Sequence, residues 1–166
     1  MASGTTAKPK KRKKRRMRHT EPAPEFYYEP TVEVADGPGK RIIVSQAQRR
    51  LFLYDGEELV KTFRVAIGRH AGSTPTGNFR IISKAHNPAW NYKGKHVPGG
   101  SAANPLGKWW MALSVTHRSG TRFGIHGTNA PWSIGKRVSR GCIRMYNKDA
   151  ATLYRLVSSG TPVTIQ

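Results

Sequence analysis

The segment from Arg41 to Gly68 constrains the fold most, because it is rich in β-branched and aromatic residues and is interrupted by an Asp-Gly pair. Two such runs precede Asp55-Gly56 and a third follows it. Both residues of the pair tolerate positive φ, so it predicts a hairpin between the second and third strands. Further strands are predicted at residues 79–84, 109–115, 122–127 and 161–166.

One helix and one long loop are predicted between these strands. The helix would begin with Asn147 as its N-cap and end before Gly160 at C′. Its apolar stripe consists of Leu153, Leu156 and Val157. Residues 85–108 are rich in Gly, Pro and Asn and are predicted to be a surface loop, which at this length is usually functional. The chain is therefore expected to be mainly β with a single α-helix.

Charge divides the chain into a tail and a domain. Residues 1–20 carry a net charge of +9, residues 21–36 carry −5, and residues 37–166 carry +16. We expect residues 1–39 to be a disordered tail, because a block of like charges repels itself and buries no apolar area, and we expect residues 40–166 to be the domain. Residues 8–18 would suit an anionic wall polymer, an anionic membrane surface or nucleic acid.

The N-terminus gives no sign of export, and no segment is predicted to span a membrane. The basic residues are followed by the polar stretch "HTEPAPEFYYEP", where a signal peptide would have an apolar core. No run approaches the roughly 18 apolar residues of a spanning helix.

Cys142 is the single cysteine, so it forms no intrachain disulfide and is a candidate nucleophile. A thiol reacts as the thiolate, and His126 is the candidate base. Arg140 and Arg144 would favour the thiolate by charge, and Gly141 would let the backbone approach a substrate and contribute to an oxyanion hole. Buried cysteines are common and usually inert, so the residues alone leave both readings open.

Four motifs make residues 41–166 resemble the L,D-transpeptidase catalytic domain, also called the YkuD-type domain. "STPTGNF" resembles the family's TPxGxF segment, "NPLG" its loop, "GIHGT" its histidine motif and "SRGCIRM" its cysteine motif. Fifteen residues separate His126 from Cys142, which is the family's spacing. One position departs from the pattern, since Arg140 stands where the family usually has a histidine. The resemblance implies a YkuD-like mixed β-sandwich or barrel with one α-helix after the catalytic cysteine loop.

The resemblance also implies a reaction and a location. Cys142 would attack a peptidoglycan tetrapeptide stem at the carbonyl after the L-centre of meso-diaminopimelate, release D-alanine and pass the acyl group to an amine, giving a 3–3 crosslink. His126 would move the protons, and a group near Gly127 or Ser139 would orient its ring. Arg144 would bind a stem carboxylate, no metal or organic cofactor is needed, and the site of action would be the cell envelope, in the periplasm or cell wall.

Two other functions are compatible with the sequence. Hydrolysis of the same acyl-enzyme would make the protein an L,D-carboxypeptidase. A basic module that binds polyanions, with an inert Cys142, would explain the charge of the tail without any catalysis.

Overall fold

The computed structural model describes residues 39–92 and 94–166, and the predicted tail lies outside this range apart from Gly39. The strands within it are β1 (Lys40–Ser45), β2 (Arg50–Asp55), β3 (Glu58–Gly68), β4 (Gly77–His86), β5 (Trp90–Tyr92), β6 (Lys95–Val97), β7 (Trp109–Thr116), β8 (Arg122–His126), β9 (Arg137–Ser139), β10 (Ile143–Met145) and β11 (Pro162–Ile165). A 3₁₀ turn covers Pro131–Ser133, and the helix α1 covers Asn147–Leu156. No helix of these residues is long and apolar enough to cross a membrane.

Eight strands close into a mixed barrel. Their order is β10-β8-β7-β4-β11-β1-β2-β3, and β3 pairs with β10 to close the ring. Most neighbours are antiparallel, while the β1–β11 and β8–β10 pairs are parallel. The short strand β9 pairs in parallel with the end of β3, and β5 with β6 forms a separate hairpin. The predicted fold class, a mainly β barrel with one helix after the cysteine loop, is confirmed.

Alternating side chains explain why the first strands form. In β2, Leu51 and Leu53 are fully buried while Arg50 is exposed and Phe52 and Tyr54 are partly buried, as expected when every second side chain points into a core. Burying each leucine contributes about 1.5–3 kcal/mol. The predicted hairpin at Asp55-Gly56 joins β2 to β3, and Gly56 has a φ of 57°.

The loop prediction for residues 85–108 is partly wrong. The strand β4 continues to His86, because its ladder with β7 extends to the His86–Trp109 pair. The hairpin of β5 and β6 then occupies part of the remaining segment. Strands of three residues carry too little sequence pattern to be read without their partners.

The helix lies where it was predicted, but its two ends differ from the prediction. Tyr146, and not the predicted Asn147, occupies the N-cap and makes no side-chain capping bond. Asn147 is the first residue of the helix, and its side chain binds the distant Thr128 backbone instead of capping. At the other end Val157 is the capping residue, so Gly160 lies beyond C′ in the following turn. Ala150, Leu153 and Val157 bury the helix in the barrel core.

Candidate active site

Cys142 lies between β9 and β10, in a loop whose backbone is held by two hydroxyl groups. Ser139 Oγ donates to the Cys142 carbonyl oxygen at 2.6 Å and accepts from the Gly141 N–H at 3.1 Å. Thr74 Oγ1 donates to the Gly141 carbonyl oxygen at 2.9 Å and accepts from the Gly68 N–H at 2.8 Å. The Gly141 N–H is thus engaged within the loop. Hydrogen bonds with Ser139 and Thr74 therefore hold both the N–H and the carbonyl group of Gly141, the residue before the thiol.

Only glycine fits at position 141. Gly141 has a φ of 148°, a conformation that residues with a Cβ rarely adopt. A Cβ there would also collide with the Ser73 carbonyl oxygen and the Phe123 ring. The close approach of the Ser73 and Gly141 backbones therefore explains the glycine before the cysteine.

The parallel pairing of β8 with β10 brings His126 to the cysteine loop. Ile125 lies opposite Ile143 and His126 lies opposite Arg144, so the same register sets Cys142, just before β10, beside Gly124. His126 follows Gly124 by two positions, which sets His126 and Cys142 on the same face of this strand pair. The His126 ring is buried and stacks on Trp110, with the ring centroids 5.6 Å apart. The register of this one strand pair therefore brings His126 and Cys142 close together, although they are separated in the sequence.

A backbone carbonyl orients the imidazole. His126 Nδ1 lies 2.5 Å from the Gly127 carbonyl oxygen. Because a carbonyl oxygen only accepts, Nδ1 carries the proton and Nε2 carries the lone pair of the neutral ring. This tautomer is the one that can take a proton from another group through Nε2.

The site favours neutral forms of both groups. Burial, and to a lesser extent the charge of Arg144, lower the pKa of His126 to about 3, and the hydrogen bond to Gly127 opposes this lowering. Burial raises the pKa of the Cys142 thiol, although Cys142 as a residue is partly exposed. A backbone hydrogen bond to Gly124 and the charges of Arg140 and Arg144 oppose that rise in the thiol pKa. The resting pair is therefore an uncharged thiol beside an uncharged imidazole.

The two arginines next to the cysteine differ in exposure and in reach. Arg144 is half-buried in β10, and its charge acts on both His126 and Cys142. Arg140 is exposed, and its charge reaches Cys142 and also His117, whose pKa burial and Arg140 together lower. The residue that replaces the family's usual histidine thus adds positive potential at the thiol.

Sequence reasoning missed the residues that hold the site together. Thr74 lies in the "STPTGNF" motif, and Asn104 lies in "NPLG", where its Oδ1 accepts from the Leu106 N–H at 2.9 Å and its Nδ2 donates to the Pro88 carbonyl oxygen at 2.7 Å. Asn147 contacts Thr128 next to the histidine. The sequence motifs that contain Thr74 and Asn104 were the signal that could have pointed to these residues. The partners of their side chains depend on tertiary structure and could not be predicted from the motifs.

An apolar cluster lies against the thiol. Cys142 packs on a buried group that consists of Leu106, Trp110 and Ala112, together with the partly buried Ile82, Ala85 and Trp90. Trp90 belongs to β5, so the short hairpin packs on the same buried cluster as Cys142. This packing is the source of the desolvation that raises the thiol pKa.

The chain is similar in sequence to known proteins. Residues 39–165 match the YkuD family, described as the L,D-transpeptidase catalytic domain. The chain is 45% identical over 125 residues to the YkuD protein of Bacillus licheniformis and 44% identical over 124 residues to that of Bacillus subtilis. These alignments cover 75% of this chain and 64% of each relative, so the chain spans less than two thirds of their length.

A solved structure shares the fold at lower identity. The L,D-transpeptidase LdtMt1 in complex with imipenem superposes with a TM-score of 0.58 and 22% identity, covering 77% of this chain and 59% of that one. At this identity the likeness concerns the fold.

Proposed function

The chain belongs to the L,D-transpeptidase catalytic domain family, and we propose that it cross-links peptidoglycan through a Cys142 thioester. We assign residues 40–166 to the catalytic domain and residues 1–39 to a tail. The observation that carries the proposal is the His126 ring, which is held in the Nδ1–H tautomer at the cysteine loop.

The reaction would proceed in two acyl transfers. Cys142 Sγ attacks the stem carbonyl carbon while the thiol proton passes to His126 Nε2, and the tetrahedral intermediate collapses when the imidazolium protonates the leaving amine of D-alanine. The acceptor amine then attacks the thioester, and its proton passes to His126 before the thiol is restored. Each proton taken up by the histidine is returned within the cycle.

The neutral resting pair supports a coupled proton transfer. With the His126 pKa lowered to about 3 and the thiol pKa raised, thiolate and imidazolium are disfavoured before substrate binds. Proton transfer would then accompany attack on the carbonyl. The positive charges of Arg140 and Arg144, which stabilise the thiolate, would also stabilise the oxyanion of the tetrahedral intermediate.

The family acts on peptidoglycan stem peptides and implies a location in the cell envelope. We propose the periplasm or cell wall as the site of action and Arg144 as a contact for a stem carboxylate. Residues 8–18 would add a contact with an anionic partner, for which wall polymer, membrane surface and nucleic acid carry the required charge.

The product formed from a disaccharide-tetrapeptide tests the proposal. Transfer predicts 3–3 crosslinked dimers and release of D-alanine, measured by mass spectrometry, with no product from Cys142→Ala. Tripeptide alone at high acceptor concentration would replace transfer by hydrolysis. Product formation by the alanine variant would remove Cys142 from the reaction.

A further inference from the structure

The side chain of Asn147 bonds to both sides of one residue in the histidine loop. Asn147 Oδ1 accepts from the Thr128 N–H at 2.8 Å, and Asn147 Nδ2 donates to the Thr128 carbonyl oxygen at 2.8 Å. The two residues are nineteen positions apart. Asn147 is the first residue of α1 and follows the cysteine strand, so these bonds connect the nucleophile segment to the base segment.

The bonded N–H belongs to the peptide group that holds the catalytic ring. The Thr128 N–H and the Gly127 carbonyl are the two ends of one peptide unit, which is planar. Its carbonyl oxygen accepts the His126 Nδ1 proton, and its N–H donates to Asn147. Fixing the direction of the N–H therefore fixes the direction of the carbonyl, and the chain of bonds also polarises the imidazole.

Two glycines leave space for this amide. A Cβ at Gly107, the last residue of "NPLG", or at Gly127 would collide with Asn147 Oδ1. Gly107 also has a φ of 65°, and the buried Asn104 shapes the turn that precedes it. The "NPLG" and "GIHGT" loops thus meet around the Asn147 side chain.

We propose that Asn147 is a positioning residue for His126, acting through the Gly127–Thr128 peptide. The inference rests on the proposed function for its catalytic consequence, while its structural content concerns the tautomer of one ring. Asn147 touches no reacting atom in this role. Its contribution is to hold His126 in the Nδ1–H tautomer, which leaves Nε2 unprotonated.

The tautomer of His126 in the full chain is the decisive measurement. Long-range proton–nitrogen NMR correlations of histidine-labelled protein should show the Nδ1–H form in the wild type. Asn147→Ala and the size-matched Asn147→Leu remove both bonds and should give mixed or Nε2–H forms. Asn147→Asp keeps an acceptor for the Thr128 N–H and should retain the Nδ1–H form.

The control is Asn129→Ala, which alters an exposed asparagine of the same loop. Asn129 donates to the Ala103 carbonyl oxygen at 3.3 Å and is bonded to neither end of the Gly127–Thr128 peptide, so its removal should leave the tautomer unchanged. Acylation of Cys142 by imipenem should slow by about tenfold or more in Asn147→Ala and Asn147→Leu, the size of effect that supporting residues produce at other sites, and stay within about threefold of wild type in Asn147→Asp and Asn129→Ala.

A wild-type tautomer in Asn147→Ala or Asn147→Leu would overturn the inference, whatever the acylation rate of these variants. The proposed function fails separately, if His126→Gln acylates as fast as the wild type. The NMR result judges the role of Asn147 in either case, since it does not depend on activity.

Discussion

Replacing Thr74 by valine should destabilise the protein and disorder the cysteine loop. Thr74 is buried, and its hydroxyl bridges the Gly68 N–H and the Gly141 carbonyl oxygen. Valine has nearly the same shape, so no cavity forms, but two buried polar groups lose their partner at about 1–3 kcal/mol each. With partial relaxation we expect a loss of about 2–4 kcal/mol, which lowers Tm by roughly 6–16 °C.

Thermal unfolding of three variants isolates the hydroxyl. Thr74→Ser keeps both hydrogen bonds and should lose only about 1 kcal/mol for the missing methyl group. Thr76→Val changes an exposed threonine of the same motif, which accepts a weak 3.3 Å bond from Gln46, and should shift stability by less than about 0.5 kcal/mol. Well below its Tm, Thr74→Val should also acylate slowly at Cys142. Equal stability of the valine and serine variants would refute the argument.

Two further predictions concern charge. Since the His126 pKa is about 3 in the folded protein and near 6.5 unfolded, the unfolded chain gains a proton first as pH falls, so stability drops by up to about 1.4 kcal/mol per pH unit below pH 6.5. Urea unfolding at about pH 7 and at about pH 5.5 measures this loss in the free energy of unfolding. The loss should be about 1 kcal/mol larger for the wild type than for His126→Gln. Equal losses would mean that His126 is charged in the folded state at the lower pH. Arg144→Gln should raise the thiol pKa and shift the pH profile of Cys142 alkylation by iodoacetamide upward, because Arg144 favours the thiolate; an unmoved profile would contradict that.

The parts of the fold that could be predicted from sequence are those with local pattern. Alternation in β1 to β3 and the Asp55-Gly56 pair have a period or a turn chemistry that acts within a few residues. The strand β9 has three residues and forms because the end of β3 supplies a partner. Such strands have no local signature.

The site divides in the same way. The sequence contains the reactive groups, Cys142 and His126, because their chemistry belongs to the residue type. The hydrogen bonds that support these groups could not be predicted, since partners such as Thr74 and Gly141 are 67 positions apart. Asn147 is an example of a tertiary contact that replaces a local one. It was expected to cap the helix, and its side chain binds Thr128 instead. Tertiary partners decide what a polar side chain does.

The mass of the intact protein during turnover tests the central claim most directly. A reaction with disaccharide-tetrapeptide, quenched in acid, should show wild-type protein increased by the mass of the donor less D-alanine, located on Cys142 by peptide mapping. His126→Gln should accumulate this thioester more slowly, and Cys142→Ala should show none. Crosslinked product formed without any Cys142 adduct, or an adduct located on another residue, would contradict the account.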